Sequence, residues 1–237
     1  MRCMKPVRIF RHIANEGPGY FATVLEQRAI PWQLVRVDVG DAIPPEVDDC
    51  AGLVFMGGTM SVNDNLPWLA EELALIRRAA QAGVPVLGHC LGGQLISKAL
   101  AGVVSAHTVK EFGWHAVQRV DNASARDWLG PLPPTFDVFH WHGETFSLPQ
   151  DATLLLSSTH CAHQAFVWRN MLALQCHVEM TADMVSLWAT HSAEALAVPG
   201  VAVQSAEQMQ HDLTPRVMAL QRVADVLYER WLRCLLA

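Results

Sequence analysis

Two short apolar runs, 51–56 (AGLVFM) and 84–87 (VPVL), are each closed by glycine and separated by one amphipathic stretch. Nothing else in the chain constrains the fold as much. An apolar run of this length without alternation reads as a strand covered on both faces, which requires helices on both sides of a sheet. The stretch between them, 67–82, has Pro67 at its start and Gly83 just past its end, the expected punctuation of a helix. Strand, helix and strand make a β-α-β unit, whose right-handed crossover sets the two strands parallel. The same alternation begins earlier, with strands expected over 6–13 and 32–39 and a helix over 20–30 behind Pro18-Gly19. A further helix follows Gly88 and runs to about residue 101. The first half therefore predicts an α/β fold with a doubly wound, mostly parallel sheet.

After Gly102 the pattern changes to closely spaced strands over 113–120, 136–142, 152–158, 165–168 and 171–177. They predict an antiparallel extension whose last strand returns to the main sheet. Stretches 181–191 and 215–236 are amphipathic and helical. No repeat or linker divides the 237 residues, so one domain is expected over 1–237, with a core over 5–191 and a C-terminal helical segment over 205–237.

Composition narrows the function classes. With 51% hydrophobic and 17% charged residues a large core is easily built, and a net charge of -6 offers no basic footprint for a nucleic acid. No apolar run approaches the roughly 20 residues that span a bilayer, and Lys5 and Pro6 break the first ten residues as an export segment. The six cysteines are scattered without a Cys-x-x-Cys pair, which points to reduced thiols, a cytoplasmic setting and no zinc ribbon.

The strongest chemical signal is Gly88-His89-Cys90-Leu91-Gly92-Gly93-Gln94, which follows a buried strand and opens a helix. A nucleophile elbow has that context: the turn lifts one side chain above the sheet, and flanking glycines keep its surroundings clear. Cys90 would stand at the helix N-terminus, where the macrodipole favours thiolate, and the Leu91 amide could donate to an oxyanion. The competing account is a buried structural cysteine in a glycine-rich turn. A second signal, Gln175-Cys176-His177-Val178-Glu179, ends the last strand. Residues two apart in extended chain project to one side, so Glu179 can orient His177 as the base for a thiol. Alone, such a pair is more often a solvated polar pair. The two signals support each other because Gly57-Gly58, Cys90 and His177 each end a predicted strand. Sites in parallel sheets form beyond those carboxyl ends.

Other candidates carry blander readings. His140 and His142 face one side of a strand, but no third metal ligand at suitable spacing stands out. His89 reads as a supporting residue, and Cys161-Ala162-His163 as an incidental surface pair. Trp188 and Trp231 read as packing residues on helix faces.

With these motifs in view, the chain resembles a class I glutamine amidotransferase domain of the triad type, in a stand-alone form similar to the amidotransferase part of GMP synthase. The resemblance covers roughly 51–181 and rests on Phe55-Met56-Gly57-Gly58, the elbow at 88–94, Glu111-Phe112-Gly113-Trp114, His140-Trp141-His142-Gly143-Glu144 and Gln175 to Glu179. It implies Cys90, His177 and Glu179 as the triad and the amides of Gly58 and Leu91 as the oxyanion hole. Gly57, Gln94, Trp141 and His142 would bind the amino-acid end of the substrate. It implies no cofactor and no metal. Two departures stand out: Thr59 replaces the usual proline after the Gly-Gly pair, which loosens that loop, and Cys176 replaces the usual Phe before the histidine. The implied activity is hydrolysis of glutamine or another γ-glutamyl compound, a small-molecule substrate, through a cysteinyl thioester. Three alternatives remain. The chain could be an ammonia-supplying subunit of a separate synthetase, or a non-catalytic binding protein on the same scaffold. The third is a cysteine peptidase or stress-response hydrolase of the same fold family, whose elbow usually has histidine where Leu91 stands.

Overall fold

The computed structural model describes residues 4–235; Cys3 and the last residue of the expected 215–236 helix lie outside them. Four strands, β1 (Val7–Arg11), β2 (Trp32–Arg36), β3 (Gly52–Phe55) and β4 (Val86–His89), alternate with α1 (Gly19–Gln27) and α2 (Pro67–Ala82). The elbow leads into α3 (Leu91–Ala99). Then follow β5 (Val104–Arg119), α4 (Ala123–Leu129), β6 (Thr135–Phe146), β7 (Thr153–Ser158), β8 (Ala165–Trp168) and β9 (Met171–Leu174). The chain ends with α5 (Ala182–His191), α6 (Ala193–Leu196), β10 (Ala202–Val203), α7 (Ala206–Gln210) and α8 (Leu213–Arg233).

One ten-stranded sheet results, in the order β10-β5-β7-β8-β9-β4-β3-β1-β2, with β6 paired to β5 outside that path. The β2-β1-β3-β4-β9 block is parallel. β9 is antiparallel to β8, β8 to β7, β7 to β5 and β5 to β6, so this is the expected extension returning to the main sheet. Alternation along the buried strands feeds two cores. Val7, Ile9, Val54 and Met56 face α1, α5 and α8 through Phe21, Val185, Leu227 and Trp231. Phe10, Leu53 and Phe55 face α2 and α3 through Leu69, Ile76, Leu95 and Ile96. Among the described residues no helix is long and apolar enough to cross a membrane.

The differences from expectation have local causes. The strand expected over 32–39 stops at Arg36, because Val37–Val39 winds into a 3-10 turn closed by Gly40 at φ 86°. Val84 gives its amide to Ala79 O at 2.9 Å, so it finishes α2, and β4 starts at Val86. β5 begins at Val104 rather than 113, with a bulge between Ala106 and Glu111 hiding its period. β9 ends at Leu174 because the Gln175 amide turns to Gln164 O and that of His177 to Phe139 O, both at 2.8 Å. α4 was not anticipated, although Asn122 caps it by accepting from Ala125 N.

Candidate active site

The carboxyl ends of β1, β3 and β4 open on one edge of the sheet, and the residue after β4 is Cys90. Its backbone has φ 49° and ψ -104°, a conformation that an L-residue adopts only when its surroundings enforce it. The enforcement is visible. A Cβ on Gly88 would collide with Gly92, one on Gly92 with the Phe55 carbonyl, and one on Gly93 with the Leu174 carbonyl. The Cys90 amide is tied to Leu174 O at 2.8 Å. Packing this tight between β3, β9 and α3 is why the elbow needs glycine.

The Cys90 thiol faces a cleft of about 360 Å³ lined by Glu16, Gly58 to Ser61, Gln94, Lys110, Phe112 and Trp141 to Glu144. The sulfur donates to Trp141 O and accepts from Gln175 Nε2, each at 3.7 Å, and Gln94 Nε2 in turn donates to Gln175 Oε1 at 3.3 Å. Gln175 is thus a contact of the sulfur that sequence reasoning missed.

His177 and Glu179 meet as the alternation of extended chain predicts, with Nδ1 2.6 Å from Oε1 and both side chains buried. Burial pulls the His177 imidazole down, but the Glu179 charge and the adjacent Cys90 sulfur outweigh it, and its pKa stands well above the ordinary value. Burial likewise raises Glu179; His177, His89 and the hydrogen bond from His177 overcome it and hold the carboxyl at about 2. Each partner therefore favours the charged form of the other. His177 Nε2 has no hydrogen-bond partner among the described residues, which leaves that nitrogen free for proton traffic with the thiol. Trp188, expected only to pack, stands edge-on to His177 at 5.1 Å between ring centroids and sends its indole N–H to Asn15 O at 3.1 Å.

On the oxyanion side, Gly58 and Leu91 are neighbours: a Cβ on Gly58 would stand 2.8 Å from Leu91 Cδ2. Leu91 is the first residue of α3, so its amide has no intrahelical partner. Gly57 does not line the cleft; its carbonyl turns inward to His12 Nδ1 at 3.2 Å. His12 Nε2 lies 3.1 Å from both oxygens of the fully buried Glu72, and Trp68 stacks on the ring. Burial pulls the His12 imidazole down, yet Glu72 and the Gly57 and Met56 carbonyls raise it overall. A protonated His12 thus donates from both nitrogens and pins the Gly57 carbonyl. A trans peptide is planar, so the Gly58 N–H is aimed the opposite way by the same contact. The loop after Gly58, expected to be loosened by Thr59, is tied down elsewhere. Ser61 Oγ donates to Glu144 at 2.9 and 3.0 Å, and Lys98 Nζ to Asn63 Oδ1 at 2.8 Å.

The remaining candidates separate clearly. Glu111, His140 and His142 bring ligand-type atoms within 4.8 Å of one another, so the third partner missing from the sequence is Glu111, placed by the β5–β6 register opposite His142. Its carboxylate is already occupied by Ser158 Oγ and Gln164 Nε2, both at 2.7 Å, and by His142 at 3.0 Å. His142 Nδ1 donates to Glu144 O at 3.0 Å. This is a hydrogen-bonded brace under the cleft wall. His89 is buried, bonds to Tyr228 OH at 2.9 Å and stands 3.8 Å from Glu179, and burial lowers it to about 4, so it supports the carboxylate as a neutral ring. Cys161 is not a surface residue: it is buried, and it meets the His163 carbonyl rather than the imidazole.

The same fold recurs in known proteins. A crystal structure of a glutamine amidotransferase from Methylobacillus flagellatus matches with a TM-score of 0.95 and 43% identity, over 98% of this chain and 96% of that one. A glutamine amidotransferase-like protein of Salmonella typhimurium is 31% identical over 192 residues, 78% of this chain and 80% of its own. A GMP synthase of Vibrio atlanticus is 29% identical over 153 residues, which are 63% of this chain but only 27% of the synthase. The family model for glutamine amidotransferase class-I matches residues 21–184, more than half of the chain. On these likenesses the chain belongs to the class I glutamine amidotransferases.

Proposed function

We propose that this protein hydrolyses the γ-amide of glutamine or of another γ-glutamyl compound through a thioester on Cys90. The observation that carries it is the juxtaposition of a thiol on an enforced elbow with a buried His177–Glu179 pair whose second imidazole nitrogen has no partner among the described residues. The Cys90 sulfur, its proton held by His177 Nε2, attacks the γ-carbonyl carbon, and the oxygen takes the electron pair between the Gly58 and Leu91 amides. His177 then protonates the leaving nitrogen, the C–N bond breaks and the amine departs. Water adds to the thioester, gives a proton to His177 and releases glutamate, and the sulfur regains its starting state. Glu179 keeps His177 in the correct orientation and charge. Gln94, the Trp141 backbone and His142 shape the amino-acid end, joined by Lys110, the only lysine or arginine of the cleft wall among the described residues, as partner for the α-carboxylate.

Glutamine and a panel of γ-glutamyl amides, incubated with the purified protein and with Cys90→Ala, test this by glutamate release. Release by the wild type and none by the variant is the expected result; equal release by both removes Cys90 from the mechanism. A second reading follows from the GMP synthase likeness, which spans only the amidotransferase-sized quarter of that enzyme. In it this chain supplies ammonia to a separate synthetase and is slow alone. Silence toward every γ-glutamyl compound, reversed by a partner protein, would favour it.

A further inference from the structure

We infer that Glu16 determines specificity at this site: its carboxylate walls the leaving-group side of the nucleophile and selects γ-glutamyl amides whose leaving amine bears a positive charge. The inference rests on the hydrolase reading above and extends it to the substrate class.

Glu16 lies beyond the carboxyl end of β1, lines the cleft with Cys90 and is only 8% exposed. Its position is built rather than incidental. The Asn15 carbonyl is held by Trp188, the ring that also covers His177; the Glu16 amide donates to Ile13 O at 3.1 Å; and Tyr20 N donates to Glu179 O at 2.8 Å. The loop is thereby fastened to the base and to its orienting residue. A Cβ added at Gly57 would collide with Glu16 Oε2 and stand 3.1 Å from His177 Cε1. The carboxyl therefore sits about one methyl group from His177 Cε1, the carbon bonded to the unpartnered Nε2.

The substrate's direction follows from the other walls. Lys110, with Gly143 and Glu144, lies on the cleft wall formed by β5 and β6 and suits the α-carboxylate, and the oxyanion belongs to Gly58 and Leu91. What remains beside His177 is the leaving group, and the wall there is Glu16. His177, Glu179 and His12 act on Glu16 through charge alone. Burial first, with Glu179 adding and the two histidines opposing, raises its pKa to about 7. A cationic amine entering beside it would complete the charge balance, whereas a carboxylate there would meet like charge in a poorly solvated corner.

The test uses three γ-glutamyl amides of matched reach, made with 1,3-diaminopropane, propylamine and β-alanine. The reading is the ratio of kcat/KM for the ammonium tail to that for the carboxylate tail, which cancels any general loss of activity. We expect a ratio of roughly tenfold or more in the wild type, near one in Glu16→Gln and inverted in Glu16→Lys. A wild-type ratio near one, or the same ratio in Glu16→Gln, overturns the inference. Alkylation of Cys90 by 2-bromoethylamine against iodoacetate, each normalised to glutathione, reads the same charge preference without turnover. If that preference responds to Glu16→Gln while no γ-glutamyl compound is cleaved, the hydrolase reading fails and the charge recognition stands. If it does not respond, Glu16 is excluded whatever the turnover shows.

Discussion

The buried Glu72–His12–Gly57 relay makes a prediction that separates stability from catalysis. His12→Phe keeps the volume and the stacking on Trp68 but removes both N–H donors. Glu72, fully buried, is left as an uncompensated charge, and breaking such a pair costs about 3–5 kcal/mol. Replacing both partners with apolar side chains removes that penalty, since buried ion pairs are often exchanged for packed hydrophobic groups at little cost. The double variant His12→Phe/Glu72→Met should therefore recover most of the stability lost by His12→Phe alone. Activity should not recover. With its carbonyl unpinned, the Gly57–Gly58 peptide can rotate, and the Gly58 N–H loses its aim at the oxyanion. Removing an oxyanion donor outright costs about 10²–10³ in kcat. A misaimed donor that is still present should cost roughly ten- to a hundredfold, mostly in kcat. The assays are urea denaturation for stability and initial rates of glutamate release on the best γ-glutamyl substrate. A double variant that is stable and turns over at the wild-type rate would show that His12 does not set the oxyanion hole.

Cys90→Ala should abolish glutamate release with a urea midpoint close to that of the wild type, because the elbow is held by backbone packing rather than by the sulfur; a large loss of stability would contradict this. His177→Ala should be nearly as inactive as Cys90→Ala, and Glu179→Gln milder, since it keeps shape and weakens only charge and orientation; initial rates in the opposite order would invalidate the roles. Tyr228→Phe strips the buried His89 Nε2 of its partner and should cost about 1–3 kcal/mol in urea denaturation. Stability should peak near about pH 6. Below it, unfolding lets His89 and His140, held at about 4 and about 3 chiefly by burial, take up protons from about pH 6.5 downward. Glu16, held at about 7, opposes them, because from its ordinary value of 4.5 upward the folded state keeps a proton that the unfolded state releases. Above 6.5 the raised pKa values of His12 and His177 act in the same sense, so stability falls as pH rises. Urea midpoints rising without a break to pH 8 would contradict these assignments.

The parallel half of the fold was legible because β3 and β4 fall in short apolar runs closed by glycine, so length and punctuation place them. α2 has the bounds its Pro67 and Gly83 announce. The antiparallel half was harder: the bulge in β5 breaks the period of two, and α4 is too short for its periodicity to rise above its polar surroundings. At the site, adjacency along the chain was readable and adjacency across it was not. His177 and Glu179 are two residues apart in extended chain, and their contact followed from that. Glu111 reaches His142 only through the β5–β6 register. Glu16, His12 and Glu72 come from the first strand end and from a helix, with no motif of their own. One signal for Glu16 did exist. The rule that sites gather beyond the carboxyl ends of parallel strands singles out Gly57-Gly58, Cys90 and His177, and it holds equally for the end of β1. Extending it there would have drawn attention to His12 and Glu16.

The hydroxyl of Tyr228 reaches His89 from α8, across 139 positions of sequence, and so takes part in completing the neighbourhood of Glu179. Undocking of α8 would leave His89 without its phenol and uncover the face of the sheet behind the carboxylate. The polar order behind the site thus depends on a helix that contributes no residue to the cleft itself. Packing far from the opening and chemistry at its floor are coupled through one buried hydroxyl.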